Sequence, residues 1–198
     1  MLFADGNRID LTLCPLGIYE SQKPDSLTLV LLDKDARLSA LPPASDADYV
    51  PTAPGAKRFA DCCNEFYWVS TNAAKGLWRG EIVYARLMIE QFMRPQAMRM
   101  LDWHIGLSTG FTTSPGKMGK RYRDRLPEAL WRLVERSYSD ADPGRSWAAL
   151  HALVEAFRMA SEDVAGGLGY AYPTREADNV TAYLRRVEAL PHDAQSLD

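Results

Sequence analysis

The first quarter of the chain and the remainder carry different hydrophobic patterns. From Arg8 to Cys14 (RIDLTLC) alternation is strict, with Ile9, Leu11 and Leu13 on one side and Asp10, Thr12 and Cys14 on the other. That period predicts a strand with one face on a core. Asp5-Gly6-Asn7 just before it is a tight-turn sequence, so Leu2-Phe3-Ala4 is expected to be the other arm of a hairpin. Gly17 to Ser21 suggests a short helical turn. Leu27 to Leu32 (LTLVLL), closed by Asp33-Lys34-Asp35, reads as a second, buried strand, and Ala36 to Leu41 as a brief edge strand. Pro42 to Gly55 contains four prolines and no periodicity, so it is read as a linker and the domain boundary falls there, giving 1–55 and 56–198.

Beyond Ala56 the spacing changes to threes and fours. Phe59, Cys62, Cys63, Phe66, Tyr67, Val69, Ala73, Ala74, Leu77, Trp78, Ile82 and Ala85 form one apolar stripe, the pattern of a helix or of two helices end to end. Arg94-Pro95 opens a further helix through Met98, Leu101, Trp103 and Ile105, and Gly110 to Gly119 reads as a loop. More helices are predicted over Arg123–Tyr138, Trp147–Leu168 and Glu176–Leu190. Short connections between amphipathic helices predict an antiparallel bundle. The fold class is therefore α+β and predominantly α: a small sheet-forming part, then a helical bundle.

Composition narrows the function classes. With 198 residues, 46% hydrophobic and 25% charged, the chain suits a globular protein with one good core or two small lobes. A net charge of -3 provides no global field for nucleic acid or anionic membrane. No apolar run approaches the length of a bilayer span, and Met1 to Asp10 lacks the regions of a secretory signal. The three cysteines, Cys14, Cys62 and Cys63, form neither a disulfide framework nor a zinc spacing, so the cytoplasm is the expected compartment.

Several motifs fail on spacing. GFTTSPGKM has five residues between Gly110 and Gly116 where a phosphate-binding P-loop has four, and Met118 stands where Ser or Thr would hold magnesium. The cations that follow, Lys117, Lys120, Arg121, Arg123 and Arg125, are a local basic cluster or simply a solvated loop. His104, His151 and His192 form no HExxH pattern. The candidate chemistry lies beside the apolar stripe. Lys75 and Arg79, four apart, share a helical face on which they can grip a triphosphate. Glu65 and Trp68, three apart, offer charge and ring stacking to a cationic, sugar-like ligand. Trp103 next to Asp102 repeats that combination, and Glu81 either joins it or pairs with a cation on its own helix. All of these positions also read as the ordinary solvated face of a core helix. Asp10 is a strand-disfavoured residue within an otherwise regular strand, so it reads as functional or as solvated.

The runs DGNRIDLTLCPL, LLDKD, DCCNEFYWVSTNAAKGLWRGEI and GLGYAYP, in that order, resemble the aminoglycoside 6-adenylyltransferases (streptomycin adenylyltransferases) of the polymerase-beta-type nucleotidyltransferase superfamily. The resemblance implies a mixed-sheet nucleotidyltransferase lobe, of which 1–55 is the C-terminal part, followed by a helical substrate-binding domain over 56–198. It implies transfer of AMP from Mg-ATP to a hydroxyl of streptomycin, with Mg2+ as cofactor, ATP and the aminoglycoside as partners, and antibiotic resistance as the outcome. Asp10 in RIDLTL matches the superfamily's third metal-binding carboxylate and is a candidate base. Lys75 and Arg79 would hold the triphosphate, and Glu65, Trp68, Glu81, Asp102 and Trp103 would face the polycationic drug. The superfamily's Gly-Ser motif and close acidic pair have no counterpart in these residues. On this resemblance the chain is expected to be the C-terminal two-thirds of such an enzyme, weak in metal binding and negligible in transfer on its own. The alternative is a non-catalytic helical module that binds or scaffolds without turnover.

Overall fold

The computed structural model describes residues 1–38, 41–191 and 193–194. His192 and part of the expected edge strand Ala36–Leu41 therefore lie outside the described residues. Two compact units are present, Met1–Asp48 and Tyr49–Asp198.

In the first unit, Asp5-Gly6-Asn7 makes its turn. Gly6 has φ +84°, the Asp5 carboxylate accepts from the Asn7 backbone N–H at 3.0 Å, and Leu2 and Arg8 form an antiparallel bridge. Only glycine adopts that φ without steric cost. Helix α1 spans Leu16–Ser21. The carboxylate of Asp33 accepts from the N–H groups of Arg37 and Leu38, and that of Asp48 from the N–H of Ser26. The predicted strands at Arg8–Cys14 and Leu27–Leu32 are not formed: beyond the single bridge, the described residues of this unit contain no sheet ladder. Leu11, Leu13, Leu29, Leu31 and Leu32 are exposed, and none of the unit's described residues is buried. Alternation can assign faces, but a strand is stable only where neighbouring strands take up its N–H and C=O groups. The mixed sheet is therefore absent from these residues, while the predominantly α character is observed.

The second unit is a helical bundle: α2 Ala56–Trp78, α3 Ile82–Leu87, α4 Arg94–Ser108, α5 Tyr122–Arg125, α6 Glu128–Arg136, α7 Pro143–Leu168 and α8 Thr174–Ala189. The apolar stripe of α2 forms its centre. Phe66 stacks on Phe157 of α7 with centroids 3.8 Å apart, and Tyr67 meets both rings edge-on. The Tyr67 hydroxyl is 2.6 Å from that of Tyr172, so its polar tip is satisfied inside the core. α2 and α4 run antiparallel, with Cys62 against the Gln96 carbonyl and Arg58 over the Trp103 ring.

The breaks between helices have local causes. Gly80, at φ +73°, ends α2: its N–H reaches the Leu77 carbonyl, and the Glu81 N–H reaches that of Gly76, the paired bonds of a Schellman cap. Gly76 lets α3 fold back closely, because a Cβ there would sit 2.8 Å from Tyr84. Between α3 and α4 the helix widens into a π turn over Met88–Met93. Pro95 lies directly beyond it; proline has no N–H for the carbonyl four residues back and crowds it, so a regular α-turn is disfavoured there. The single helix expected over Arg123–Tyr138 is two, α5 and α6, because Pro127 forces Leu126 into the extended region at ψ 148°. Asp142 caps α7 by accepting from the Arg145 N–H at 2.8 Å, and Pro143 occupies the first turn.

Candidate functional site

Glu65, Trp68, Asn72, Lys75 and Arg79 follow one another at intervals of three, four, three and four, so they form one stripe along α2. That stripe faces away from the buried set Phe59, Cys62, Phe66, Ala73 and Leu77. Trp68 is 67% exposed, an unusual state for the side chain with the most apolar area to bury. Glu65 and Lys75 are half-buried, while Arg79 and Glu81 are exposed. Among the described residues, the charged groups of Glu65, Lys75, Arg79 and Glu81 have no ion-pair or hydrogen-bond partner. Some other bundle charges are neutralised internally: Arg158 bonds Glu162 and Asp178, and Arg94 bonds Glu90. At 1.5 Å per residue the Glu65–Trp68 pair lies about 16 Å along the helix from the Lys75–Arg79 pair. One helix thus presents an acid beside an open indole at one end and two cations at the other. This suits an elongated ligand with a cationic and an anionic part.

The other predicted residues are not gathered onto that stripe. Trp103 is 3% exposed, with the Arg58 guanidinium 5.5 Å from its ring, near the start of α2. Trp68 and Trp103 therefore differ in kind, one ring open and one in the core. Asp102 is half-buried, and burial holds its carboxyl above the ordinary range, against the opposing pull of its Tyr122 hydrogen bond. The Tyr122 hydroxyl lies 2.8 Å from Asp102 Oδ1 and 3.0 Å from the Met98 carbonyl oxygen. A hydroxyl has one proton to donate, so it is shared between these two acceptors. Asp10, in the first unit, is exposed and accepts from Arg8 Nη2 at 2.6 Å. Two apart on an extended segment, these side chains share a face.

Tyr122 and Arg58 carry no local sequence signal, since their partners are remote in the chain. Arg94, read in the sequence only as a helix start, bonds Glu90 and Ser137 and lies 4.0 Å over the Tyr138 ring, contacts that depend on the fold. Cys62 and Cys63 are buried, and burial pushes both thiols up to about 12, which disfavours the thiolate. His104 donates or accepts at Nε2 with Asp163, and its Nδ1 is buried without a partner. No group of three or more His, Cys, Asp or Glu side chains able to hold a metal occurs among the described residues. Nor is any helix among them long and apolar enough to cross a membrane.

Comparison with known proteins is consistent across sequence and structure. The family model described as streptomycin adenylyltransferase matches residues 1–187. An aminoglycoside 6-adenylyltransferase of Bacillus subtilis (strain 168) is 37% identical over 185 residues, covering 92% of this chain and 65% of the relative. One from Campylobacter jejuni is 36% identical over 187 residues, covering 94% and 65%. The crystal structure of an aminoglycoside 6-adenyltransferase from Bacillus subtilis superimposes with a TM-score of 0.65 at 35% identity, over 96% of this chain and 70% of that one. The chain thus spans about 65% of the length of these two curated relatives. A match over nearly the whole chain, at this identity and with the same fold, means that the chain belongs to the streptomycin adenylyltransferase family.

Proposed function

We propose that the chain serves an aminoglycoside nucleotidyltransferase that moves AMP from ATP to a hydroxyl of a streptomycin-like aminoglycoside, releasing pyrophosphate and conferring resistance. The observation that carries this reading is the α2 stripe, which sets an acid beside an open indole at one end and two unpartnered cations at the other. Lys75 and Arg79 are assigned to the triphosphate, where two cations on one face offset its charge. Glu65, Trp68 and Glu81 are assigned to the polycationic drug through charge and stacking. Asp102 and Trp103 have weaker support for that role, because one is a half-buried carboxyl already engaged by Tyr122 and the other a core ring. The region 56–198 takes the substrate-binding role and 1–55 the nucleotidyltransferase role, with Arg8–Cys14 and Leu27–Leu32 joining a mixed sheet where partner strands are available.

Asp10 is assigned as a metal-binding carboxylate and as the base that receives the hydroxyl proton. The described residues do not by themselves fit a Mg2+ centre: Asp10 is engaged by Arg8, and no group of three or more ligating side chains forms around it. No catalytic step is therefore derived through the metal. This same observation favours a second reading, binding of nucleotide or drug without turnover.

The deciding experiment measures ATP-dependent pyrophosphate release with streptomycin for the 198-residue chain and its Asp10→Asn variant, alongside calorimetric titration with streptomycin and with Mg-ATP. Turnover lost in Asp10→Asn supports transfer by this chain. Heat without turnover supports the binding reading, and it should fall with Lys75→Gln/Arg79→Gln for ATP and with Trp68→Ala for the drug. Absence of both heat and turnover rejects both readings for this chain.

A further inference from the structure

The bundle contains a cavity of about 110 Å³ between α4, α6, α7 and the turn before α5. No residue of the α2 stripe lines it. Its interior is apolar, made by Ala97, Leu101, Val134, Leu153, Ala156 and Phe157. Protein interiors are close-packed, so a void of this size leaves wall atoms without contacts. An engineered apolar cavity of about 150 Å³ in another protein stays dry and takes up benzene, so this volume is on the scale of one aromatic ring. The wall residues most open to solvent are Met118, 81% exposed, and Tyr138, 57% exposed, and they mark the mouth.

The segment that contributes Met118 and Gly119 to the mouth is rich in cations. Met118 and Gly119 are flanked in sequence by Lys117, Lys120 and Arg121, all exposed and, among the described residues, without ion-pair partners. Arg123 and Arg125 follow; the opposing acids of this segment are Asp124 and Glu135, the latter 3.8 Å from Arg123. Deeper in, Arg94 is neutralised by Glu90 and gives its remaining bonds to Ser137, so it offers no free charge. The indole N–H of Trp131 lacks an acceptor but is too enclosed for water to reach, so it is not a polar anchor either. Tyr122, also on the wall, has its hydroxyl engaged by Asp102 and the Met98 carbonyl, so the unpaired charges nearest the slot are the cations adjoining Met118 and Gly119 in sequence.

We propose that this cavity binds a small aromatic monoanion, its ring against Leu101, Val134 and Phe157 and its carboxylate among Lys117, Lys120 and Arg121. The site is independent of the α2 stripe. It is tested on the full chain by titrating benzoate, benzene and benzylamine while following the methyl resonances of Met98 and Met118. Benzoate is expected to shift both methyls saturably and to bind about tenfold more tightly than benzylamine, the sum of modest exposed charge interactions. Lys117→Gln/Lys120→Gln/Arg121→Gln should bring the two within about threefold. Ala156→Leu, which fills the slot, should abolish benzoate binding. No saturable shift at either methyl with benzoate overturns the site. Benzylamine or benzene binding as tightly as benzoate overturns the anionic class. Undiminished benzoate binding by folded Ala156→Leu overturns the location; if that variant does not fold, the methyl shifts and the charge series decide.

Discussion

Met1–Asp48 and Tyr49–Asp198 have comparable local hydrophobic patterning and opposite outcomes. Ile9, Leu11 and Leu13 alternate as regularly as Phe59, Cys62 and Phe66 recur, yet the first set is exposed and the second is at most 2% exposed. A helix completes its backbone hydrogen bonds within its own segment, so α2 needs neighbours only for its apolar face. A strand needs neighbours for its backbone as well, and the described residues of the first unit supply one bridge. Regular patterning therefore predicts burial only where the partners are also encoded.

Hydrogen exchange should widen this contrast most. Amides of 10–14 and 29–32, for which no hydrogen bond is formed among the described residues, are expected to exchange close to the rate of an unstructured chain, while those at the centre of α2 exchange only through global unfolding. Protection of comparable size in both would mean that the first unit has ladder partners of its own. Next in size, Phe157→Ala should cost about 3–5 kcal/mol in urea unfolding, because it removes the ring stacked on Phe66 and leaves a cavity; Leu31→Ala, at an exposed position, should change stability by less than about 0.5 kcal/mol. Equal effects would remove the distinction between the two regions. Asp142→Ala should cost about 1 kcal/mol through loss of the α7 cap.

The smallest effect concerns Asp102, and its sign follows from linkage. Its folded pKa is raised, so the native chain holds the proton to higher pH than the unfolded chain does. Its contribution to stability is fully present below the ordinary carboxylate pKa. It declines as pH rises from there through the raised folded value. Asp102→Asn keeps a neutral partner for Tyr122 and should flatten that part of the stability profile, leaving stability at neutral pH unchanged or higher. A steeper fall in the variant would show that Asp102 is ionised in the native state.

Much of the bundle was legible because its causes are local. The stripe of α2, the Pro95 start and the polar stripe from Glu65 to Arg79 all follow from spacing and from single residues with restricted backbones, whereas the stripe alone left open whether it was one helix or two, which the Gly80 cap decides. Pro127 was equally readable, and it overrides the run of Leu126, Leu130 and Leu133 that suggested one continuous helix. The Trp68 and Trp103 positions were not distinguishable from sequence, since each is a tryptophan beside an acid. Packing decides that one ring is open and the other covered by Arg58.

By itself, then, the sequence determined the helices, their stops and the set of chemically unusual side chains on α2, all of which depend on contacts within a few residues. Tertiary structure decided which of those side chains remain unpartnered. It also decided that Asp102 pairs with Tyr122, twenty residues away, and that Arg8–Cys14 does not form a sheet. These outcomes depend on groups brought together from distant parts of the chain, or on their absence, and no local pattern encodes either.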